Sequence, residues 1–336
     1  MLPARQSRIA VLIVVAACAG QVILPTPTAT AREPRLDVGA KALRSSLTCQ
    51  KSVTRARRTP VLLVTGTGVD GGEAWPQALQ VSLTRAGIPS CYVDFPQHTT
   101  GDIQVAVQYL VYAIRAVRER AARDIAVYGI SQGGLLPRFA LTYWPSLRPK
   151  VSDAVLVAGT HHGTTAFGPV VSTCSPNCSF TAAVWQQAAS SNLLTAINRK
   201  GDETPGSTSW TTVRTLDDEV VQPASGSHPT SALAGARNLV IQSICSRRKT
   251  NHISAAVDSV SYAALRDALT HRGPARAARI ERSVCRRPYA PGLDRQVTRA
   301  AIDELYRLAV ARSAEGAGGS VLLAREPAVR SWVRAR

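Results

Sequence analysis

The sequence predicts an α/β fold in which a mainly parallel central sheet is flanked by helices. Continuous apolar runs of strand length occur at 60–64, 125–128 and 154–158, and such runs are typical of strands buried on both faces of a parallel sheet. Helical patterns separate the runs, and strands that alternate with helices indicate this architecture. The chain of 336 residues shows no internal repeat and no convincing linker, so we expect a single α/β domain.

Local patterns predict the elements of the first half. The first strand runs into a glycine-punctuated loop at 65–68, a moderately helical stretch spans 74–86, and the next strand spans 90–93. Asp102 is placed to cap a helix, because an apolar stripe with alternating spacings of four and three residues follows it. The stripe consists of Ile103, Val107, Leu110, Ile114 and Val117.

The second half of the chain continues the alternation. Runs at 211–216 and 238–244 predict two further strands, and the C-terminal third is helical and arginine-rich, with an apolar stripe at Ile302, Leu305 and Ala309. The chain then divides into a leader at 1–31, a basic extended segment at 32–58, an α/β domain at 59–290 and a basic helical extension at 291–336. We expect the extension to pack on the domain or to be partly disordered.

The leader is typical of a secretory signal. Arg5 and Arg8 precede an apolar run at 9–17, and Ala29-Thr30-Ala31 offers a cleavage site. The apolar run is too short for a membrane span, and no later segment reaches spanning length. An alternative is a bacterial lipoprotein box that ends at Cys18. We therefore expect secretion, with lipid anchoring at the cell surface through Cys18 as the alternative.

The charge balance bears on the partners of the protein. With 40 basic and 22 acidic residues, the net charge is +18, whereas only 5% of the residues are aromatic. A nucleic-acid groove needs aromatic stacking platforms beside its cations, and the basic residues here are not interleaved with aromatic ones. The composition therefore argues against nucleic-acid binding and predicts a basic surface that associates loosely with anionic surfaces.

Six cysteines remain once Cys18 is removed with the leader. They are Cys49, Cys91, Cys174, Cys178, Cys245 and Cys285. An even number in an exported protein suggests three disulfides, although the sequence alone leaves the pairing open. Cys174 and Cys178 are close enough in sequence to form a small loop, and neither a second close pair nor a His-x-x-His accompanies them, which argues against a metal site.

The clearest chemical signal lies at 129–133, where Gly-Ile-Ser-Gln-Gly follows a strand and precedes an apolar helical segment. This G-x-S-x-G pattern, in its strand–turn–helix context, is the nucleophile elbow of α/β-hydrolases. The turn lifts the Ser131 hydroxyl clear of the sheet, and the flanking glycines let neighbouring backbone pass without a Cβ clash. The alternative is a glycine-rich turn with an incidental serine.

A serine nucleophile needs an imidazole to take its proton and a carboxylate to orient the imidazole. On this scaffold the partners follow in the order Ser, acid, His, each on a loop after a strand. Asp217 and Asp218 follow the run at 211–216, and His252 follows the run at 238–244, whereas the other five histidines lie in unsuitable parts of the chain. The alternative for the two aspartates is a turn or a helix cap.

The oxyanion of a tetrahedral intermediate needs hydrogen-bond donors. One is expected from the backbone N–H of Gln132, directly after the nucleophile, and a second from the loop at 65–68. A threonine in that loop could donate both its N–H and its hydroxyl to the same oxygen. The alternative is a loop that merely reverses the chain.

Four motifs occur in one order with similar gaps, namely PVLLVTGTG at 60–68, SQGGL at 131–135, VWQQ at 184–187 and DEVVQP at 218–223. Together they resemble the Candida antarctica lipase B family of α/β-hydrolases, and the resemblance covers residues 45–290. It implies a triad and an oxyanion hole, which are Ser131 as nucleophile, Asp218 as orienting acid, His252 as base, and Thr67 and Gln132 as oxyanion donors.

The same resemblance implies disulfides Cys49–Cys91 and Cys245–Cys285. It also places Trp185 and Gln187 beside an acyl-binding pocket, with a core role as the alternative for Trp185. The chain departs from the family at Ile130, which replaces a larger aromatic residue and predicts a roomier pocket. The charge-poor stretch at 166–189 is the candidate lid and pocket wall, with an ordinary packed helix as the alternative. The last forty or so residues have no clear counterpart.

These observations predict a secreted serine ester hydrolase, a lipase or lipase-like carboxylesterase that works through an acyl-enzyme. The substrate is a lipid or another ester, no cofactor or metal is needed, and we expect a monomer. Another acyl hydrolase, such as a polyester hydrolase or a thioesterase, would share the triad. A more remote alternative is a non-catalytic cationic surface-binding protein on a hydrolase scaffold.

Overall fold

The structure is a computed structural model that describes residues 33–166 and 178–334. Its strands are β1 (Leu47–Cys49), β2 (Val61–Val64), β3 (Ser90–Val93), β4 (Ile125–Ile130), β5 (Val151–Val157), β6 (Phe180–Thr181), β7 (Ser209–Arg214), β8 (Arg237–Val240) and β9 (Leu322–Leu323). Its α-helices are α1 (Ala40–Ser45), α2 (Gly71–Ala74), α3 (Leu79–Arg85), α4 (Ile103–Ala121), α5 (Gln132–Tyr143), α6 (Ala182–Gln187), α7 (Asn192–Asn198), α8 (Ile241–Ile244), α9 (Ser259–Thr270), α10 (Arg295–Glu315) and α11 (Ser331–Arg334). The predicted leader at 1–31 and Cys174 lie outside the described residues.

Seven strands form the central sheet in the order β1-β3-β2-β4-β5-β7-β8. Only the edge pair β1–β3 is antiparallel, and every other neighbouring pair is parallel. Leu62 and Val64 face a core cluster that includes α4 and α5, whereas Val61 and Leu63 face a cluster that includes α3 and α9. The predicted parallel sheet with helices on both faces is therefore confirmed, and it explains why its strands are apolar on both sides.

The run at 238–244, predicted as a single strand, is divided between β8 and α8. Ile241 and Ile244 are both buried. Residues three apart lie on the same face of a helical turn but on opposite faces of a strand. Because β8 is the edge strand and pairs only with β7, the helical turn is the conformation that buries both isoleucines on one side.

The basic segment at 32–58 is more structured than its composition predicts. It contains α1 and β1, and β1 pairs with β3 at the edge of the sheet. Leu43 and Val53 are buried in the core cluster on that side. Two apolar residues among many cations anchor the segment, and a pattern this sparse carries no periodic signal.

The described part of the C-terminal extension packs on the α/β domain. Strand β9 pairs antiparallel with β6, and Trp332 stacks on Phe139 of α5 with ring centroids 5.8 Å apart. Val333 is buried beside them. Among the described helices, none is both long and apolar enough to span a membrane.

Asp153 is a buried carboxyl in the centre of the sheet. It lies on β5 between β4 and β7, it is 8% exposed, and burial raises its pKa to about 6 despite a hydrogen bond with the Ser152 side chain. At pH values between the ordinary pKa of an aspartate and about 6, Asp153 is protonated in the folded protein but ionised in the unfolded chain. Stability is therefore lost as the pH rises through this window, by at most about 3 kcal/mol.

Replacing Asp153 by Asn should raise the free energy of unfolding at pH 7.5 by about 1–3 kcal/mol, because the neutral amide removes the cost of a buried charge. Below pH 4 the variant and the parent should converge. Urea unfolding at both pH values measures the difference, with Asp303→Asn, an exposed aspartate on α10, as the control. A gain that is equal at both pH values would contradict the assignment.

Candidate active site

Ser131 occupies the sharp turn between β4 and α5. Its backbone has φ 58° and ψ −124°, a conformation that is costly for a residue with a side chain. Glycines make the turn possible: a Cβ on Gly129 would lie 1.9 Å from the Gly133 carbonyl oxygen, and one on Gly133 would lie 2.4 Å from the Thr65 carbonyl oxygen. The sequence pattern predicted this elbow, and the structure forms it.

His252 and Asp218 form a buried pair. The His252 Nδ1 atom lies 3.0 Å from Asp218 Oδ2, and the two residues are 5% and 3% exposed. The other carboxylate oxygen, Asp218 Oδ1, accepts the backbone N–H groups of Val220 at 2.9 Å and Val221 at 2.7 Å. A carboxylate held in this way fixes the imidazole with its proton on Nδ1 and leaves Nε2 as the basic nitrogen.

The neighbouring Asp217 takes a different role. Its Oδ1 lies 3.4 Å from Lys249 Nζ, and its Oδ2 accepts the Thr250 backbone N–H at 3.4 Å. The order of residues in the chain does not distinguish two adjacent aspartates, but the structure brings only Asp218 to the histidine ring. Asp217 instead tethers the loop that carries His252.

Ser131 and His252 line the same cavity. Within the described residues, the Asp218–His252 hydrogen bond is formed, whereas the Ser131 hydroxyl forms no hydrogen bond with His252. In hydrolases without bound substrate the catalytic hydrogen bonds are often long and tighten when substrate binds. Closing the arrangement would bring the Ser131 hydroxyl to the His252 ring, and both side chains already line the same cavity.

The two predicted oxyanion residues are joined by their side chains. Thr67 Oγ1 donates to Gln132 Oε1 at 2.8 Å, and Gln187 Nε2 donates to Thr67 Oγ1 at 2.8 Å. Thr160 Oγ1 donates in turn to Gln187 Oε1 at 2.9 Å. The Thr67 hydroxyl proton is thus engaged by Gln132, and the donors left for an oxyanion are the backbone N–H groups of Thr67 and Gln132. Gln187 contacts both side chains, Thr67 Oγ1 and Gln132 Oε1.

The cavity has a volume of about 390 Å³ and is lined mostly by apolar side chains. From the candidate lid stretch, Phe180, Val184 and Gln187 contribute to its wall, whereas Trp185 does not. The Trp185 ring packs edge-on against Phe180 and its Nε1–H donates to the Leu323 carbonyl at 2.8 Å. Trp185 therefore supports the wall from behind, and the part of the candidate lid stretch at 167–177 lies outside the described residues.

Helix α10 forms one side of the cavity, and the sequence did not predict this position for it. The apolar stripe Ile302, Leu305 and Ala309 faces the cavity. The helix approaches the oxyanion loop closely: a Cβ on Gly68, which has φ +80°, would lie 2.6 Å from the Ala309 Cα. The stripe was visible in the sequence, but a stripe does not reveal which surface it covers.

An ion pair fastens α10 to the opposite wall. Arg312 binds Glu73 in bidentate fashion at 2.7 and 2.9 Å and donates to the Gly68 carbonyl at 3.1 Å. The Arg312 side chain is only 11% exposed, and its hydrogen bonds hold the pKa of Glu73 below its ordinary value. Bidentate, partly buried pairs of this kind are among the stronger ones in proteins.

Two disulfides brace the elements around the site. Cys49 on β1 is bonded to Cys91 on β3, and Cys245, which ends α8, is bonded to Cys285. Both pairings implied by the resemblance are therefore confirmed. Cys178 is also disulfide-bonded.

Comparison with known proteins reveals two extensive likenesses. Lipase B of Pseudozyma antarctica is 30% identical to this chain over 272 residues, which cover 79% of this chain and 78% of that protein. The crystal structure of Aspergillus fumigatus lipase B has a TM-score of 0.80 at 27% identity, over 94% of this chain and 76% of that one. The propeptide form of Bacillus licheniformis lipase BlEst2 has a TM-score of 0.50 at 15% identity, over 65% of this chain and 52% of that one, which is a likeness of fold alone. No protein-family model matches the chain.

Gly129→Ala should destabilise the protein by more than about 4 kcal/mol or prevent folding, because the new methyl group collides with backbone that cannot move without breaking the elbow. Gly72→Ala is the matched control: Gly72 lies in α2, and a Cβ there would meet only Tyr92, at 3.7 Å from its hydroxyl oxygen and 3.9 Å from its ring. Urea unfolding compares the two variants. Equal stability would show that the elbow does not need the close approach.

Arg312→Gln should loosen the C-terminal half of α10, because it removes the only charged link from the helix to Glu73 that the described residues contain. We expect amide hydrogen exchange at 309–315 to rise several-fold. The control is Arg307→Gln, since Arg307 pairs with Glu304 on the same helix and is exposed. Identical exchange in the two variants would contradict an anchoring role for Arg312.

Proposed function

The chain belongs to the lipase B family of α/β-hydrolases, and we propose that it is a secreted serine ester hydrolase in which Ser131, His252 and Asp218 act as the catalytic triad. Lipase-like ester hydrolysis is the activity that this family membership supports. The observation that carries the specific assignment is the Asp218–His252 pair, whose histidine lines one cavity together with a serine held at an elbow.

Acylation begins when His252 Nε2 takes the Ser131 proton and Oγ attacks the ester carbonyl carbon. The carbonyl π electrons move to the oxygen, which the N–H groups of Thr67 and Gln132 stabilise. The imidazolium is stabilised by Asp218, whose two backbone hydrogen bonds keep it aligned. Collapse of the intermediate breaks the bond to the alkoxy oxygen, and His252 delivers the proton to the leaving alcohol.

Deacylation repeats these roles with water as the nucleophile. His252 takes a proton from the water, the hydroxide attacks the acyl carbonyl, and the proton is then delivered to Ser131 Oγ as the acid is released. The full cycle consumes one ester and one water and releases one alcohol and one acid. The three side chains return to their starting protonation states.

The cavity favours esters with an apolar portion. Its apolar lining includes Ile130, Val184, Ile302 and Leu305, so an acyl chain or an apolar alcohol loses contact with water when it enters. This supports a lipase or a lipase-like carboxylesterase. A polyester hydrolase or a thioesterase would use the same machinery, and rates on p-nitrophenyl esters of increasing chain length, below and above their solubility, separate these substrates.

Export is part of the proposal. The leader at 1–31 has the features of a signal sequence, and the disulfides Cys49–Cys91 and Cys245–Cys285 are of the kind that persists in oxidising compartments. We propose secretion of the mature chain, with lipid attachment at Cys18 as the alternative. The mass of the N-terminal peptide from the native host distinguishes the two routes.

Ser131→Ala and His252→Gln should each lower kcat/KM on p-nitrophenyl butyrate by at least about 10³-fold while leaving the fold intact, because each removes a member of a cooperating unit. His271→Gln is the control, since His271 also pairs with a carboxylate, Asp267 at 3.1 Å, but is 49% exposed and outside the cavity. An active Ser131→Ala variant, or an equal loss in His271→Gln, would disprove the triad.

A further inference from the structure

A group of exposed cations lies on segments next to the cavity wall and has no part in the proposed chemistry. We call it the cationic rim, and its members are Arg247, Arg286, Arg287, Arg295 and Arg299. All five are exposed, and none takes part in an ion pair within the described residues. Residues 245–300 contain twelve basic and four acidic residues, and two of the acids, Asp258 and Asp267, are buried. The rim therefore carries an uncompensated positive charge.

Two links hold the rim together. The Cys245–Cys285 disulfide joins the segment that carries Arg247 to the segment that carries Arg286 and Arg287. The Arg248 side chain, which is 8% exposed, donates from Nη2 to the carbonyls of Val284 at 3.1 Å and Arg287 at 2.6 Å. The disulfide and the hydrogen bonds of the largely buried Arg248 thus fix the spacing of the exposed arginines.

The rim adjoins the wall of the cavity. The Val257 carbonyl, on a residue that lines the cavity, accepts the Ala290 N–H at 2.8 Å, so the chain just after Arg287 packs against the back of that wall. Arg295 and Arg299 lie on the first turns of α10, where Thr298 lines the cavity. The segments that carry the rim therefore adjoin two parts of the cavity wall, the Val257 segment and the start of α10, and we refer to this side of the cavity as the rim face.

Exposed apolar side chains accompany the charge on this face. Val297, Tyr306 and Val310 of α10 border the cavity and are 65%, 40% and 45% exposed. Leu216, which precedes the Asp217–Asp218 pair, is 48% exposed. Apolar side chains beside unpaired arginines match an interface in which acyl chains lie beneath anionic headgroups.

We propose that this face docks on an anionic phospholipid surface, with the cationic rim against the headgroups and the exposed side chains of α10 in the acyl boundary. The proposal rests on the proposed function, because docking in this orientation presents the cavity to an ester within the surface. It adds what the hydrolase assignment does not contain, namely the charge of the preferred surface and the arginines that select it.

The test measures binding of the protein to vesicles of ether-linked phosphatidylglycerol or phosphatidylcholine, which hold no ester that could be hydrolysed. We expect binding to phosphatidylglycerol to be at least tenfold tighter, and to weaken as salt rises. Replacing Arg247, Arg286 and Arg287 together by Gln should reduce the affinity for phosphatidylglycerol at least tenfold, since each arginine contributes roughly fivefold near an anionic surface.

The matched control removes the same charge from the opposite edge of the sheet. Arg55, Arg57 and Arg120 are exposed beside the amino ends of β2 and β4, and their triple replacement by Gln should leave the affinity within about twofold. An equal loss in the two triple variants would overturn the proposal, because net charge alone would then explain binding. Equal affinity for the two lipids, or tight binding to soluble polyphosphate without binding to vesicles, would overturn it too.

The activity on soluble p-nitrophenyl butyrate keeps this inference separate from the proposed function. The rim variant should retain the parental rate on that ester, because none of its three arginines touches the cavity. Ser131→Ala should bind phosphatidylglycerol vesicles as the parent does. A parent protein that binds vesicles selectively but does not hydrolyse the ester would refute only the hydrolase proposal. A parent protein that hydrolyses the ester but shows no lipid selectivity would refute only the docking surface.

Discussion

The arrangement of the site depends on the close approach of backbone around Ser131. The serine occupies a left-handed conformation, and that conformation is held because β4, α5 and the end of β2 meet at distances that only glycine allows. The cost of such a turn, of order 1–3 kcal/mol, is met by the packing of a sheet whose strands are buried on both faces. The position of the Ser131 side chain in the wall of the cavity is therefore a property of the whole core, and not of a flexible loop.

The proposed partners of Ser131 are held by hydrogen bonds and a disulfide rather than by close packing of backbone. Asp218 is aligned by backbone N–H groups, and the loop that carries His252 is tied down by Asp217 and by the Cys245–Cys285 disulfide. Thr67 is held by the side chain of Gln187. Each of the proposed reacting groups thus has a supporting residue, and such support is what preorganises a hydrolase site.

The sequence predicted those features that depend on local pattern. The parallel strands, the cap at Asp102 and the elbow at Ser131 each follow from a few consecutive residues, and the cap is formed, with the Asp102 side chain accepting the Gln104 N–H. The choice between Asp217 and Asp218 was not available from chain order, because neighbouring residues in a turn point in different directions. The family resemblance, and then the contact with His252, made that choice.

What the sequence could not supply were contacts between distant segments. The stripe on α10 is an ordinary amphipathic pattern, and only the tertiary structure shows that it covers the cavity lined by Ser131 and His252 and fits against Gly68. The helical turn at 241–244 resembles a strand by composition, since it continues the apolar run of β8 and its two isoleucines favour strands. The role of Gln187 as a brace, rather than a substrate contact alone, depends on hydrogen bonds to residues far away in the chain.

The most direct test is the crystal structure of the protein after reaction with an alkyl fluorophosphonate. The account predicts a single adduct on Ser131 Oγ, with one phosphonyl oxygen within hydrogen-bond distance of the backbone N–H groups of Thr67 and Gln132, the alkyl chain against α10, and His252 Nε2 turned towards the adduct. An adduct on another residue, or a phosphonyl oxygen directed away from both N–H groups, would contradict it.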